Sequence, residues 1–207
     1  MNKASLIGFA TLIALLLSFT SCSEKDEAGE YDNWRSRNEK YIEQIASEAR
    51  INADGSWTII KAHNTGDEFD DKQDPKFYIY VQKLESGTGT YNPKYNDSIR
   101  VHYSGRLIPS DSYEDGYNFG KSYVGATLNE STDVPSLMAV KENIRGFATA
   151  LQHMVEGDHW RVIIPAYLGY YKSTPPTGNI PKYSTLIFDV KLARIYRYKV
   201  DTNTSWH

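Results

Sequence analysis

The chain has 207 residues, a formal charge of −3, one Cys, 16 Tyr and 4 Trp. That length buries the core of one domain of ordinary size, and a lone Cys excludes an internal disulfide or a thiolate zinc cluster, since both need several sulfurs. A weak negative charge is the wrong sign for a nucleic-acid partner, which needs a basic face to meet phosphates, and the aromatic content is too high for a disordered chain.

Met1–Cys22 reads as an export signal. Lys3 supplies the positive start, Leu6–Phe19 is an apolar run, and Thr20-Ser21 places small residues before Cys22. The run falls short of the roughly 20 apolar residues a membrane span needs. Phe19-Thr20-Ser21-Cys22 resembles a bacterial lipobox. That resemblance implies a signal peptide over 1–21, a lipidated Cys22 that anchors the chain to a membrane, and a tether over 22–30. Ser23-Glu24-Lys25-Asp26-Glu27 resembles the acidic motif that sends lipoproteins of Bacteroidetes-type bacteria to the outer surface; a plain solvated tether explains it equally well. The expected location is the cell envelope, as an outer-membrane lipoprotein facing the periplasm or the exterior.

Residues 31–75 form an N-terminal extension. Trp34, Tyr41, Ile42, Ile45 and Ala49 recur at helical spacing, which predicts a helix over 31–51. Its apolar stripe suits either a homodimer or packing on the chain's own sheet. Asn52-Ala53-Asp54-Gly55 stops the helix, and Trp57–Lys61 predicts a short strand. Thr65–Pro75 is an acidic loop without the Gly-centred order of a calcium-binding loop.

Residues 76–197 are denser in apolar side chains. Phe77–Leu84 alternates as a strand, Ser86-Gly87-Thr88-Gly89 reads as a turn, and Ser98–Leu107 alternates again, with Ile99, Val101 and Tyr103 on one face. Gly116–Tyr123 predicts a further strand. Ile144, Phe147, Ala148, Leu151 and Met154 predict a short helix over Glu142–Met154, followed by a turn that ends at Gly157. His159–Ile164 and Thr185–Ile195 carry strong period-two patterning, and Pro165–Ser184 is a long loop rich in Tyr, Pro and Gly. This order predicts an α+β domain, an antiparallel sheet wrapped around one helix. Residues 198–207 are a tail.

The chemistry is restrictive. The His residues lack zinc-ligand spacing, no Gly-x-Ser-x-Gly or phosphate-cradling loop occurs, and no carboxylate pair stands out. No cofactor or metal is expected. What remains is a domain able to bind extended apolar material in a concave aromatic pocket.

Six fragments, in order, resemble the FKBP-type peptidyl-prolyl isomerases: Val101-His102-Tyr103-Ser104-Gly105, Phe119, Glu142 through Phe147, Met154-Val155-Glu156-Gly157, Ile180-Pro181, and Ser184 through Val190. The resemblance implies an antiparallel sheet clasping one short helix, and rotation about X–Pro bonds of proline-containing polypeptides as the activity. By the same resemblance Tyr103 lines the pocket and offers its hydroxyl, Phe119 walls it, and Ile144 presents a backbone N–H. Phe147 stands at the floor position usually held by Trp. Tyr170 serves as the loop tyrosine, with Tyr167 or Tyr171 as alternatives; Ile180 forms the loop tip and Phe188 the aromatic of the last strand. The chain departs from the pattern at Gly120 (commonly Asp), Asn143 (commonly Val) and Asn179 (commonly apolar), and 124–136 is longer and lacks a second Phe. These departures predict modest isomerase activity and weak macrolide binding. They also keep open a second reading, a catalytically weak or inactive FKBP-like binding or chaperone module.

Overall fold

A computed structural model describes residues 29–63, 74–173, 175 and 179–198. The signal segment with Cys22, most of the tether, residues 65–73 of the acidic loop and the tail beyond 198 lie outside the described residues.

The first helix, α1 (Trp34–Ile51), buries Trp34, Asn38, Ile42, Ile45, Ala46 and Ala49, while Tyr41 is half-buried. It stops at Asn52, whose φ of 43° is left-handed, a conformation that Asn tolerates. The same Asn52 side chain accepts from Trp57 N–H at 3.0 Å and donates to Trp57 C=O at 3.1 Å, so one residue ends the helix and aims the strand after it.

Among the described residues seven strands follow: β1 (Trp57–Lys61), β2 (Tyr78–Glu85), β3 (Ser98–Arg106), β4 (Asn118–Lys121), β5 (Ser136–Ala139), β6 (His159–Ile164) and β7 (Leu186–Tyr196). They form one sheet in the order β1-β2-β6-β7-β3-β4, and β5 also pairs with β3. Every pairing is antiparallel. β4 pairs with the end of β3 and β5 with its start, so the two short strands run in turn along one edge. The α+β expectation holds, and β5 is a strand that sequence patterning missed.

The second helix, α2 (Arg145–Leu151), is buried from Gly146 to Leu151. It is shorter than the predicted Glu142–Met154. Val140–Glu142 forms a separate 3₁₀ turn, and Asn143 (φ −95°, ψ 160°) and Ile144 (φ −55°, ψ 149°) are extended, so the helical rise starts only at Arg145. At the far end the chain turns after Gln152, and Gly157 takes a φ of 93°.

The sheet is apolar on both faces. Val81, Val101, Val162, Ile164, Leu186, Phe188 and Val190 pack in one cluster with Phe147 and Leu151 of α2. Tyr80, Ile163 and Ile187, their neighbours along the strands, point the other way and pack with Ile42, Ile45, Ala46 and Ala49 of α1. The stripe of α1 thus lies on the chain's own sheet. Segment 86–89 forms no turn, against the expectation. A Cβ on Gly87 would stand 2.3 Å from Glu156 C=O, so glycine is what lets this segment lie against the 156–158 turn.

Candidate active site

The inward face of the sheet and α2 do not close completely. Between them lies a cavity of about 320 Å³, lined by Tyr103, Phe119, Gly120, Met138, Glu142, Asn143, Ile144, Phe147, Tyr170, Ile180 and Phe188. All seven residues expected from the sequence line it, drawn from β3, β4, the approach to α2, α2 itself, the 165–185 loop and β7. Of the three candidate loop tyrosines, Tyr170 lines this cavity, whereas Tyr167 and Tyr171 line a different groove behind the loop.

Phe188 is the hub. Its ring lies 4.9 Å from Phe147, 5.5 Å from Phe119 in an edge-to-face contact, and 6.5 Å from Tyr103. Such tilted and T-shaped pairs suit the ring quadrupoles and hold an aromatic surface in fixed shape. Phe188 reaches this place because β7 alternates: Leu186, Phe188 and Val190 face inward, while Ile187 packs with α1. Asp189 also faces outward, where Arg161 bonds it at 2.8 and 3.0 Å and Arg106 at 3.0 Å, tying β6, β7 and β3 together directly behind the hub. Burial alone would raise the Asp189 carboxyl, but hydrogen bonds and charge from Arg161 and Arg106 outweigh it and hold the group below the ordinary carboxylate range.

The polar groups are few. Burial, helped by the nearby Tyr103, raises the Tyr170 phenol above its ordinary value, so its hydroxyl stays protonated and able to donate. Ile144 stands extended just before α2, among the positions whose N–H groups a helix leaves without an intrahelical acceptor. Asn143 turns its amide away, donating to Ala139 C=O at 2.8 Å and Val140 C=O at 3.3 Å, so it fastens the turn that precedes α2. A Cβ on Gly120 would meet nothing within 4 Å, which leaves that wall of the cavity open. Glu142 is the one lining residue with a full charge among the described residues.

Sequence reasoning missed Met138 and Glu142 as lining residues. Met138 arrives on β5, whose four residues carry no readable alternation, and Glu142 arrives because the helix starts late. Among the described residues no group of three or more His, Cys, Asp or Glu is placed to hold a metal ion, and no helix is long and apolar enough to cross a membrane.

Residues 89–193 match the family model described as FKBP-type peptidyl-prolyl cis-trans isomerase. The "Macrophage infectivity potentiator" of Trypanosoma cruzi is 37% identical over 117 residues, which cover 56% of this chain and 53% of that protein. The "Peptidyl-prolyl cis-trans isomerase Mip" of Coxiella burnetii is 30% identical over 117 residues, covering 56% of this chain and 44% of that protein. The chain thus spans about half the length of these curated relatives. A solved peptidyl-prolyl cis-trans isomerase from Pseudomonas syringae superposes with a TM-score of 0.54 at 22% identity, over 78% of this chain and 96% of that one, which establishes the shared fold. The matched span contains every residue that lines the cavity, and on this ground the chain belongs to the FKBP-type peptidyl-prolyl cis-trans isomerase family.

Proposed function

We propose that this chain is a peptidyl-prolyl cis-trans isomerase that assists the folding of extracytoplasmic polypeptides. The observation that carries the reading is the convergence of Tyr103, Phe119, Phe147 and Phe188, with Ile144, Tyr170 and Ile180, on one cavity. Rotation about a peptide bond faces a barrier of about 18–20 kcal/mol, because amide resonance is lost on the way. X–Pro is the natural target, since its cis and trans forms differ by only about 0.5–1 kcal/mol. A planar amide is strongly dipolar, and a twisted one has lost much of its charge separation. An apolar aromatic surround therefore opposes the planar form more than the twisted one, which is differential binding of the transition state. The Tyr170 and Tyr103 hydroxyls and the Ile144 N–H are the groups suited to hold the peptide carbonyls while the bond turns. No covalent step is needed.

Two observations favour a second reading, a weakly active or inactive binding module: the open wall at Gly120 and the Asn143 amide committed to the backbone. The test uses a soluble form, Ser23 to His207, and short Xaa-Pro peptides of varied Xaa, beside Tyr103→Phe and Phe188→Ala variants. The isomerase reading expects turnover above background that Phe188→Ala lowers at least tenfold. Background rates for every peptide would leave the binding module. Normal turnover by Phe188→Ala would put the reacting pocket elsewhere.

We further propose lipidation at Cys22, membrane anchoring through it, and an outer-membrane location facing the periplasm or the exterior. The lipobox-like residues 19–22 and the acidic residues after them support this. The division into an extension over 31–75 and an isomerase domain over 76–197 belongs to the same reading, with β1 of the extension serving as an edge strand of the domain's sheet. A homodimer through 31–51 would have to use the outward face of α1, because the apolar stripe already packs on the sheet.

A further inference from the structure

The loop between β6 and β7 carries two lining residues, Tyr170 and Ile180. Its neck is closed by Tyr183 N–H donating to Tyr171 C=O at 2.7 Å, and both tyrosines are left-handed, with φ of 63° and 51°. Side chains of this size rarely adopt that conformation, so contacts around the neck must hold it; inside the loop the two rings meet edge-to-face at 5.4 Å, and a further hold lies outside the loop. The hold comes from the start of α1, in a part of the chain that precedes the family match. The Trp34 indole N–H donates to Ser184 Oγ at 2.9 Å, and the Ser184 hydroxyl in turn donates to Pro181 C=O at 2.6 Å, one residue from Ile180. Asn38 Oδ1 accepts from Thr185 N–H at 2.7 Å, while its amide donates to Trp34 C=O at 2.8 Å. Trp34, Asn38, Ser184 and Thr185 are all buried. Beside this contact α1 and the loop border a groove of about 340 Å³, and there the Arg35 guanidinium lies 4.8 Å over the Tyr183 ring, a third contact between the start of the helix and the neck.

We propose that Trp34 and Asn38 are positioning residues of the isomerase site: by bonding Ser184 and Thr185 they set the neck of the loop and with it the placement of Tyr170 and Ile180. This rests on the isomerase reading above. Desolvated hydrogen bonds of this kind have no water to replace them, so losing one loosens the loop rather than merely exchanging partners. α1 thereby acts on the cavity without touching it.

The test compares wild-type Ser23–His207, which keeps every described element, with Trp34→Phe, Ser184→Ala and their double variant. Trp34→Phe deletes the N–H donor and keeps an aromatic ring. Ala49→Gly, which weakens α1 remote from the loop, is the control for general destabilisation. The expected result is a fall in kcat/KM of about twofold to tenfold in each single variant, the reach of one ordinary hydrogen bond. The double variant falls no further, Ala49→Gly keeps wild-type kcat/KM, and amide exchange over 170–173 and 179–183 speeds up in Trp34→Phe. Unchanged kcat/KM in the folded single variants, additive losses in the double, or an equal loss in Ala49→Gly would each overturn the proposal. If Trp34→Phe does not fold, Asn38→Ala decides: it removes the bond to Thr185 N–H from the α1 side and leaves the Ser184–Pro181 bond in place. If the wild type turns over no peptide, the isomerase reading has failed. Amide exchange then judges the grip alone, and protection of 170–173 and 179–183 that Trp34→Phe leaves unaltered would refute it.

Discussion

At Gly105 the absence of one side chain decides the shape of the cavity. A Cβ there would lie 2.5 Å from Cε2 of Phe119 and 2.7 Å from Cε1 of Phe188. Both atoms belong to rings already fixed by edge-to-face contact, so neither turns aside freely. Gly105→Ala is expected to push both rings out of place, costing about 1–3 kcal/mol through overpacking. It should also lower turnover of proline peptides about tenfold or more while the protein still folds, as thermal unfolding and peptide isomerisation would register. Gly120 lies opposite Gly105 in the β3–β4 pairing, and its Cβ would meet open space, so Gly120→Ala should leave stability almost unchanged. Equal activity in wild type and Gly105→Ala would mean that Phe119 and Phe188 do not shape the reacting pocket.

Among the elements, α1 does more than extend the chain. Ile45 packs in the cluster with Tyr80, Ile163 and Ile187, on the face of the sheet opposite the cavity. Ile45→Ala removes buried apolar volume from that layer, at an expected cost of about 2–4 kcal/mol. The unfolding midpoint in urea should fall accordingly, while kcat/KM at 25 °C should hold, because Ile45 is distant in sequence from the Trp34 and Asn38 grip; loss of activity in the folded variant would show that the whole helix, not its start, governs the loop. The stripe on α1 and the alternation of β6 and β7 were legible because burial there repeats at 3.6 or at two residues. The burial of Asn38 was not legible, since the Thr185 N–H that makes it favourable lies 147 residues away. β5 escaped for a related reason: Ser136–Ala139 is a strand through its pairing with β3, not through any pattern of its own. α2 read too long because an apolar spacing of three and one continues through Ile144 and Met154, which are buried or half-buried without being helical. The seven lining residues were named through family resemblance. Periodicity places several of them on inward faces, but only the sheet order brings β3, β4, the 165–185 loop and β7 around one space.

Taken as a whole, the molecule covers both faces of its sheet, and this sets its response to acid. The longer 124–136 segment belongs to the outer cover: Glu130 bonds Lys191 at 2.6 Å, and Lys191 also bonds Glu85 at 2.9 Å. His102, on the β3 residue paired with Lys191, is 4% exposed, and its Nδ1 has no hydrogen-bond partner among the described residues. Burial holds its imidazole below the ordinary value of 6.5, against the opposing pull of Glu130 and Asp133. The unfolded chain therefore takes up a proton as pH falls through about 6.5, while the folded chain resists until a lower pH. Over that interval the unfolded state binds more protons, so stability falls with falling pH. Asp189 and Glu85 are held below their ordinary values, so they stay ionised across the same interval and add their own loss only in stronger acid. The urea midpoint should accordingly be lower at pH 5.5 than at pH 7.5. In His102→Leu, which removes the buried base at similar volume, the decline between those two pH values should be shallower. A decline in His102→Leu as steep as in the wild type would assign the acid sensitivity to other groups, and with it would fall the idea that the outer cover over β3 is what makes this fold sensitive to pH.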